Sequence, residues 1–542
     1  MKRLFVIAFI VALLLPTSFT YSQDNVVKKI IEIGTTDNQA MDHLDFLTNR
    51  FGGRLIGSDA YDNAAEWCAA QFRKWGMKAV LHEAGELPVG FNRGPWFGRM
   101  LGTPGMKLHF VTPSYTSGTK GVQKGHVMLE PKTRAEFERM KGKLKGSWVL
   151  ITGESHPGWA IDYSENGDKR RAKIMEDNLE IEKENAPIMA ENRANRRNPN
   201  YKPKELKPLK DTPALFYKEM REAGILGIIQ SAKVPLGALY DRNCQTTMTF
   251  DNLPTVPDIK LDEHQYKIIK QMCIERRVFE LEFDIRNHFK MGPVKYHNVI
   301  GIIPGTEYPD EYVIMGGHLD AFDVATGGVD CGSGTTPAME AARLIMEAGG
   351  KPKRTIIVGL WAGEEFGLLG SKAWVLDNKD KHAKISNYFN RDGGPTVANS
   401  ISVPKSWMED MKKICEPLNS INPDFPFTLK ETGPLMKRGG GSDHTYFVLN
   451  DVPAAGFGTG DPKGYDFDYR EIWHTERDLY NKSIPEYQEH TAVVTAVVVL
   501  GVANLDHLLS RDGYYVVEED VIEEPSKKEI RRKKKEERKK KK

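Results

Sequence analysis

The sequence predicts an α/β fold: a mixed, largely parallel sheet flanked by helices and interrupted by an inserted, mostly β domain. Two observations predict it. From 290 to 512, continuous apolar runs alternate with helical patterns: NVIGIIPG, EYVIMGGHLD, then TPAMEAARLIMEAGG, then RTIIVGLWA. Strands buried on both faces read as unbroken apolar runs, and alternation with helices implies parallel crossovers. From 120 to 289 the pattern changes to short strands. It ends at Phe279, Leu281, Phe283 and Ile285, which alternate with Glu280, Glu282 and Asp284. That period of two belongs to a half-buried strand. With 542 residues, 40% of them hydrophobic and 28% charged, the chain is long enough for more than one core.

The elements follow in order. Lys2 and Arg3 precede an apolar run from Leu4 to Leu15, Pro16 breaks it, and Thr20 and Ser22 are small. This reads as a cleaved secretory signal peptide over 1–22, too short to span a bilayer, and predicts a secreted or periplasmic protein. Residues 23–119 form the first part of the main domain. Within them Ala64, Trp67, Cys68, Phe72 and Trp75 share one helical face, and Gly76 ends the helix before a short strand. In the insert, VQKGHVMLE, GSWVLITG and GILGIIQSA are strand candidates, and VPDIKLDEHQYKIIKQM is a strand then a helix. Between the last two of those three strands, His156–Lys210 is rich in Lys, Arg, Glu and Asn. It has too few apolar residues for a core and reads as a solvated helix or insertion. In the main block, Ser333 or Thr335 is the expected N-cap of the helix TPAMEAARLIMEAGG. DVPAAGFG is a further strand candidate, and IPEYQEHTAVVTAVVVLGVANLDHLL is a closing core helix.

Charge and cysteines add bounds. The net charge of +2 hides a basic tail: residues 525–542 hold twelve Lys or Arg against three Glu, a net of +9. With the +2 of Lys2 and Arg3 also set aside, the body carries −9. Residues 513–542 therefore read as a basic, disordered tail that can adsorb to an anionic surface. No nucleic-acid partner is expected, and the oligomeric state is open. Cys68, Cys244, Cys273, Cys331 and Cys415 show no CxxC spacing, which argues against a cysteine zinc site. In an exported chain they allow one or two disulfides and leave at least one thiol free.

The chemistry concentrates at strand ends. Glu364-Glu365 follows RTIIVGLWA, His318 follows EYVIMGG, and Asp392 follows the strand ISNYFN. Sites in open α/β sheets form beyond the carboxyl ends of strands. Adjacent carboxylates repel and lose hydration when enclosed, so a cation is expected nearby. Asp330 lies twelve residues after His318, with Gly327 and Gly328 permitting the turn back. Two histidines and three carboxylates (His318, Asp330, Glu365, Asp392, His474) suit two zinc ions about 3.5–4 Å apart if Asp330 is shared.

These segments resemble the zinc-dependent metallo-exopeptidases that include bacterial secreted aminopeptidases and the glutamate carboxypeptidases. The matching pieces are HLD (318–320), DCGSG (330–334), WAGEEFGLLGS (361–371), NRDGG (390–394), GSDHTYF (441–447) and WHTERD (473–478). RLIGSDAYDNAAEWCAAQF looks like the family's opening helix, and 120–289 resembles its protease-associated insert. The resemblance implies the family's zinc peptidase fold, peptide substrates and two zinc ions per chain. It implies that Asp330 bridges them, with Glu365 and His474 completing one site and His318 and Asp392 the other. Glu364 would be the general base, taking the attacking water's proton and returning it to the leaving amine. Asp320 would orient His318, and Asp478 would act similarly behind the ligands. Trp473 stands where members often place Tyr, so its indole becomes the candidate oxyanion contact. His444 is a packing or substrate-loop residue, and Cys331 stands where many members have Asp or Asn.

The leading expectation is a secreted dizinc aminopeptidase. The alternatives are a dipeptidase or carboxypeptidase on the same scaffold, a non-catalytic binding ectodomain, or a glutaminyl cyclase. Gly439-Gly440-Gly441 lacks the P-loop lysine and reads as a cleft rim rather than a phosphate loop.

Overall fold

A computed structural model describes residues 15–102, 105–433, 435–512 and 514–516. The start of the expected signal peptide, 1–14, and the basic run 525–542 lie outside the described residues. No helix among the described residues is long and apolar enough to cross a membrane.

The central sheet has five strands: β1 (Lys78–Leu87), β2 (Val294–Ile303), β3 (Tyr308–His318), β4 (Arg354–Trp361) and β5 (Ile385–Asn390). Their spatial order is β1-β2-β4-β3-β5. β3 runs parallel to β4 and β5, whereas β2 is antiparallel to β1 and β4, so the sheet is mixed. Every residue of β4 is buried, which is why RTIIVGLW reads as one apolar run. Successive residues serve opposite faces: Val299, Val313 and Ile356 join the core under the main helices, while Ile300, Ile314 and Ile357 join a second core beyond them.

Helices α1 (Asp59–Lys74), α2 (Gly332–Glu347) and α3 (Pro485–Ala503) cover the first face. Ser58 caps α1 by accepting the Tyr61 N–H at 3.1 Å, and Ala64, Cys68 and Phe72 are fully buried. The apolar run of α3 is core on all sides rather than amphipathic, which explains its length without charge. α2 begins earlier than its sequence predicts. Its N-cap position is Cys331, and Ser333 and Thr335 lie inside it. Their hydroxyls donate instead to the carbonyls of Val329 (2.7 Å) and His318 (2.6 Å), so they tie the helix start to the end of β3. DVPAAGFG contributes only the short strand Phe457–Gly460.

The insert is larger than 120–289. Its eight-stranded sheet includes Gly90–Leu101, which pairs antiparallel with Glu280–Lys290 from end to end. The second sheet therefore starts at Gly90, not 120. A boundary set by the first short strand candidate misses this partner because its alternation is broken by Gly94, Pro95 and Gly98. Trp148 and Phe283 meet edge to face at 4.7 Å in its core. At the other end the fold continues past 513: Tyr514 is buried and stacks on Trp407, and Tyr515 pairs with Leu435. All five cysteines are free and four are buried in separate places, so the disulfides allowed by the count do not form.

The charged stretch 156–210 is a stapled arm. The helix Glu165–Ala194 presents Asn178, Asn185 and Asn192 at seven-residue spacing. Each carboxamide accepts the N–H of a lysine on the returning chain and donates to that lysine's carbonyl. Asn178 meets Lys210 (2.8 and 2.8 Å), Asn185 meets Lys207 (2.8 and 2.8 Å), and Asn192 meets Lys204 (2.9 and 2.9 Å). Seven helical residues rise about 10.5 Å and three polyproline-like residues about 9.3 Å, so the two spacings nearly match. Asp177, Glu184 and Glu191 pair with the same lysines. Those pairs are exposed and contribute little; the amides carry the contact. Asn185→Ala leaves two backbone groups without partners and is expected to weaken the staple by about 1–2 kcal/mol. Hydrogen exchange at the Lys207 amide should then speed up by about tenfold, with the main sheet unaffected.

Candidate metal centre

The parallel register brings the sequence-predicted residues to one rim. His318 at the end of β3 lies opposite Trp361 at the end of β4, and Gly316 lies opposite Asn390 at the end of β5. Glu364-Glu365 and Asp392 therefore begin just past the same edge. The loop after His318 returns through Gly327, whose φ of +64° suits glycine, to place Asp330 at the start of α2. Gly334 is needed there for a second reason: a Cβ would sit 2.2 Å from the Arg391 carbonyl.

Asp330 lies between the two histidines. Its Oδ1 is 3.3 Å from His318 Nε2, and its Oδ2 is 3.7 Å from His474 Nε2. His318 Nε2 also faces Asp392 Oδ1 at 3.7 Å, and His474 Nε2 faces Glu365 Oε2 at 3.0 Å. One ligand atom each from His318, Asp330 and Glu365 falls within 4.8 Å of the others. His318 Nε2 and Glu365 Oε1 are buried without a hydrogen-bond partner. Buried polar atoms are rarely left unpaired, and imidazole nitrogens with carboxylate oxygens are the donor set zinc takes. The residues fit the ion.

Electrostatics point the same way. Burial raises the pKa of Glu365, and neighbouring Asp330 raises it further. Burial raises the pKa of Glu364 too, with Glu365 and Asp443 adding to it against His318. Burial opposes a charge on His318, but the surrounding Cys331, Glu364, Asp320 and Asp330 outweigh it and raise its pKa. Burial lowers that of His474.

Asp320 meets His318 at its other ring nitrogen, as expected, but through its main chain. His318 Nδ1 lies 2.9 Å from the main-chain carbonyl of Asp320, nearer than the 3.5 Å to its Oδ1. A carbonyl can only accept, so Nδ1 carries a proton, which leaves Nε2 as the nitrogen a metal would take. The carboxylate reaches across to the next loop and accepts the N–H groups of Glu364 (3.1 Å) and Glu365 (3.3 Å). One residue thus aligns the ligand on β3 with the glutamates beyond β4. Asp478 holds the neighbouring turn, accepting from Val329 N–H (2.7 Å) and Asp330 N–H (3.2 Å), and burial pushes its carboxyl up to about 7. Arg54, fully buried, donates to the carbonyls of Leu319, Thr326 and Gly327 and shapes the loop between His318 and Asp330.

A cavity of about 730 Å³ opens over these groups. Trp473 and His444 both line it. Trp473 is 48% exposed, and its ring lies on His474 at 4.2 Å. His444 is kept toward its neutral form by burial. Cys331 Sγ lies 3.3 Å from the Arg391 carbonyl, and burial pushes its thiol up to about 12. Two lining residues escaped the sequence reading. Tyr240 comes from the insert and stacks on Phe366 at 4.1 Å and 7°. Tyr469 lines the same cavity as Asp330, Glu365 and Asp392, and its pKa is raised by burial and then by Asp330 and Asp392. A tight turn over Tyr469–Glu471 brings it back toward Trp473, whose N–H donates to the Tyr469 carbonyl. Asp443, beside His444, is fully buried with both oxygens unpartnered; its burial could not be read from the GSDHTYF segment.

Residues 298–499, which contain all five ligand candidates and Glu364, match peptidase family M28. Carboxypeptidase Q of Mus musculus is 24% identical over 506 residues, covering 90% of this chain and 91% of its own length. A probable glutamate carboxypeptidase of Arabidopsis thaliana is 32% identical over 224 residues, 39% of this chain and 32% of its own. The crystal structure of a peptidase M28 precursor from Shewanella amazonensis SB2B shares the fold. Its TM-score is 0.54 at 19% identity, over 91% of this chain and 98% of that one. By this match over residues 298–499 and by the geometry of the candidate ligands it encloses, the chain is a zinc-dependent metallo-exopeptidase similar to peptidase family M28.

Proposed function

We propose that this chain is a dizinc exopeptidase that removes a residue from the free N-terminus of a peptide. The observation that carries the two-metal reading is Asp330, whose two oxygens face two different histidines, each with its own further carboxylate. His318, Asp330 and Asp392 would hold one ion, and His474, Asp330 and Glu365 the other. Zinc bound there supplies a Lewis acid for the scissile carbonyl and lowers the pKa of water. Glu364, not needed as a ligand, accepts a proton from the attacking water and delivers it to the leaving nitrogen as the C–N bond breaks. Asp320 holds Glu364 in place through its backbone N–H. Tyr469, which lines the same cavity, donates its hydroxyl proton in a hydrogen bond to the developing oxyanion, the part expected of Trp473.

The end specificity is read from the side chains of the cavity lining. Asp330, Glu364, Glu365 and Asp392 line the cavity, and none of its lining residues is Lys or Arg. Asp330, Glu365 and Asp392 are taken up by the metals, so the reading rests on the lining's lack of a Lys or Arg side chain to pair with a peptide's α-carboxylate. A second reading, cleavage at the C-terminus, is favoured by the likeness to carboxypeptidase Q over 90% of the chain. Dipeptides blocked at one end separate the two. With aminopeptidase activity, N-acetylation should abolish turnover and C-amidation should leave it. The reverse pattern would make the enzyme a carboxypeptidase, and loss with either block a dipeptidase.

A further inference from the structure

The loop that carries His474 leans on the inserted module rather than on its own domain alone. Glu476 N–H donates to the Leu236 carbonyl at 2.9 Å, and Leu236 N–H donates back to Glu476 Oε1 at 3.2 Å. Gly237 bridges antiparallel to Thr475. A Cβ on Gly237 would stand 3.3 Å from the His474 carbonyl and 2.3 Å from that of Pro157, so the insert's backbone lies against the ligand's own peptide.

The Glu476 carboxylate is held from the far side by His109 Nε2, at 2.8 and 2.9 Å from its two oxygens. His109 Nδ1 faces Asp262 Oδ2 at 3.2 Å, and the His109 N–H donates to Gln265 Oε1 at 2.8 Å. His109, Asp262 and Gln265 all belong to the insert. His474 itself has φ +58°, a conformation non-glycine residues adopt only where their surroundings hold them.

We propose that the inserted module is a positioning element of the metal centre: His109 grips Glu476, and this clasp holds His474 where it can ligate. His109 and Glu476 are positioning residues that act through His474, not catalytic residues. The inference rests on the proposed role of His474 as a ligand. It gives the insert a task in assembling the site, in addition to the wall that Tyr240 provides from the same segment.

Zinc titration of the full-length protein tests it, read as stoichiometry and affinity at buffered free zinc, with circular dichroism as a check on folding. His109→Ala and Glu476→Ala should each weaken the second zinc by about tenfold, the lower end for residues that act behind a ligand. Each should lower kcat with KM nearly unchanged, and the double variant should be no worse than either single one. Glu476→Gln, which keeps an acceptor for Leu236 N–H, should recover part of the loss. Arg99→Ala, which breaks the insert's pair with Glu282 away from the loop, should bind zinc as the parent does. His474→Ala is the reference. If it leaves two tight zincs, the ligand assignment fails. If it loses one while folded His109→Ala keeps both at parental affinity, the clasp fails. Should His109→Ala not fold, parental affinity in Glu476→Gln and Glu476→Ala would overturn it equally.

Discussion

Glu364→Gln is expected to lower kcat by about 10²–10⁴-fold while the protein keeps its full complement of zinc. The substitution preserves shape and removes one capacity, that of taking a proton. Glu364 sits where that capacity matters. It lines the cavity beside the ligand cluster, its N–H is fixed by Asp320, and its carbonyl accepts the N–H groups of Gly367 and Leu368 in a tight turn. Burial raises the proton affinity of its carboxylate above that of a surface glutamate, the direction a general base needs. Zinc should stay because Glu365, not Glu364, faces His474. Pre-steady-state turnover together with metal content is the measurement. Unchanged kcat would remove Glu364 as the base, and loss of zinc would make it a ligand.

Removing the metal is the second large effect. Chelation should abolish activity and also destabilise the fold, because the rim then holds Asp330, Glu364, Glu365 and Asp392 together without a cation. Ligand binding to the native state alone stabilises it by about 4 kcal/mol when free zinc is 1,000 times its dissociation constant. Thermal unfolding with and without chelator should show that loss as a lower midpoint, restored by added zinc. Asp330→Asn should mimic chelation, since a carboxamide cannot serve both sites as an anionic bridge. The pH dependence has a definite sign. In the metal-free site the pKa values of Glu365 and His318 are raised, the first by burial and the second by the surrounding acidic groups, so the protons they hold must leave before zinc enters. Affinity should therefore fall as pH is lowered. Affinity that does not change with pH would contradict this account of the cluster.

Three of the candidate ligands, His318, Glu365 and Asp392, were legible because each sits at or just past the end of a distinctive run. RTIIVGLWA, EYVIMGGH and ISNYFN are the patterns of buried strands, and residues just past such strands converge whatever their distance in sequence. His474 has no strand before it and was found only through the WHTERD segment. The misread features share a cause. Gly90–Leu101 carries glycines and a proline that blur its period, so its place in the second sheet depends on a partner almost two hundred residues away. The arm has no apolar face, and its order comes from carboxamides bonding to a distant backbone. Tyr469, Tyr240 and the His109–Glu476 contact involve residues whose types are ordinary and whose neighbours are not adjacent in the chain.

By itself the sequence determined the α/β class and the strand ends beyond which the candidate ligands His318, Glu365 and Asp392 stand, since burial periodicity and donor chemistry are local properties. Only the tertiary structure decided which oxygen of Asp330 meets which histidine, and that the Asp320 carbonyl rather than its carboxylate lies nearer His318. It also decided that the insert lies against the His474 loop. Those outcomes depend on distances of a few ångströms between segments far apart in the chain, which are settled by how whole elements pack.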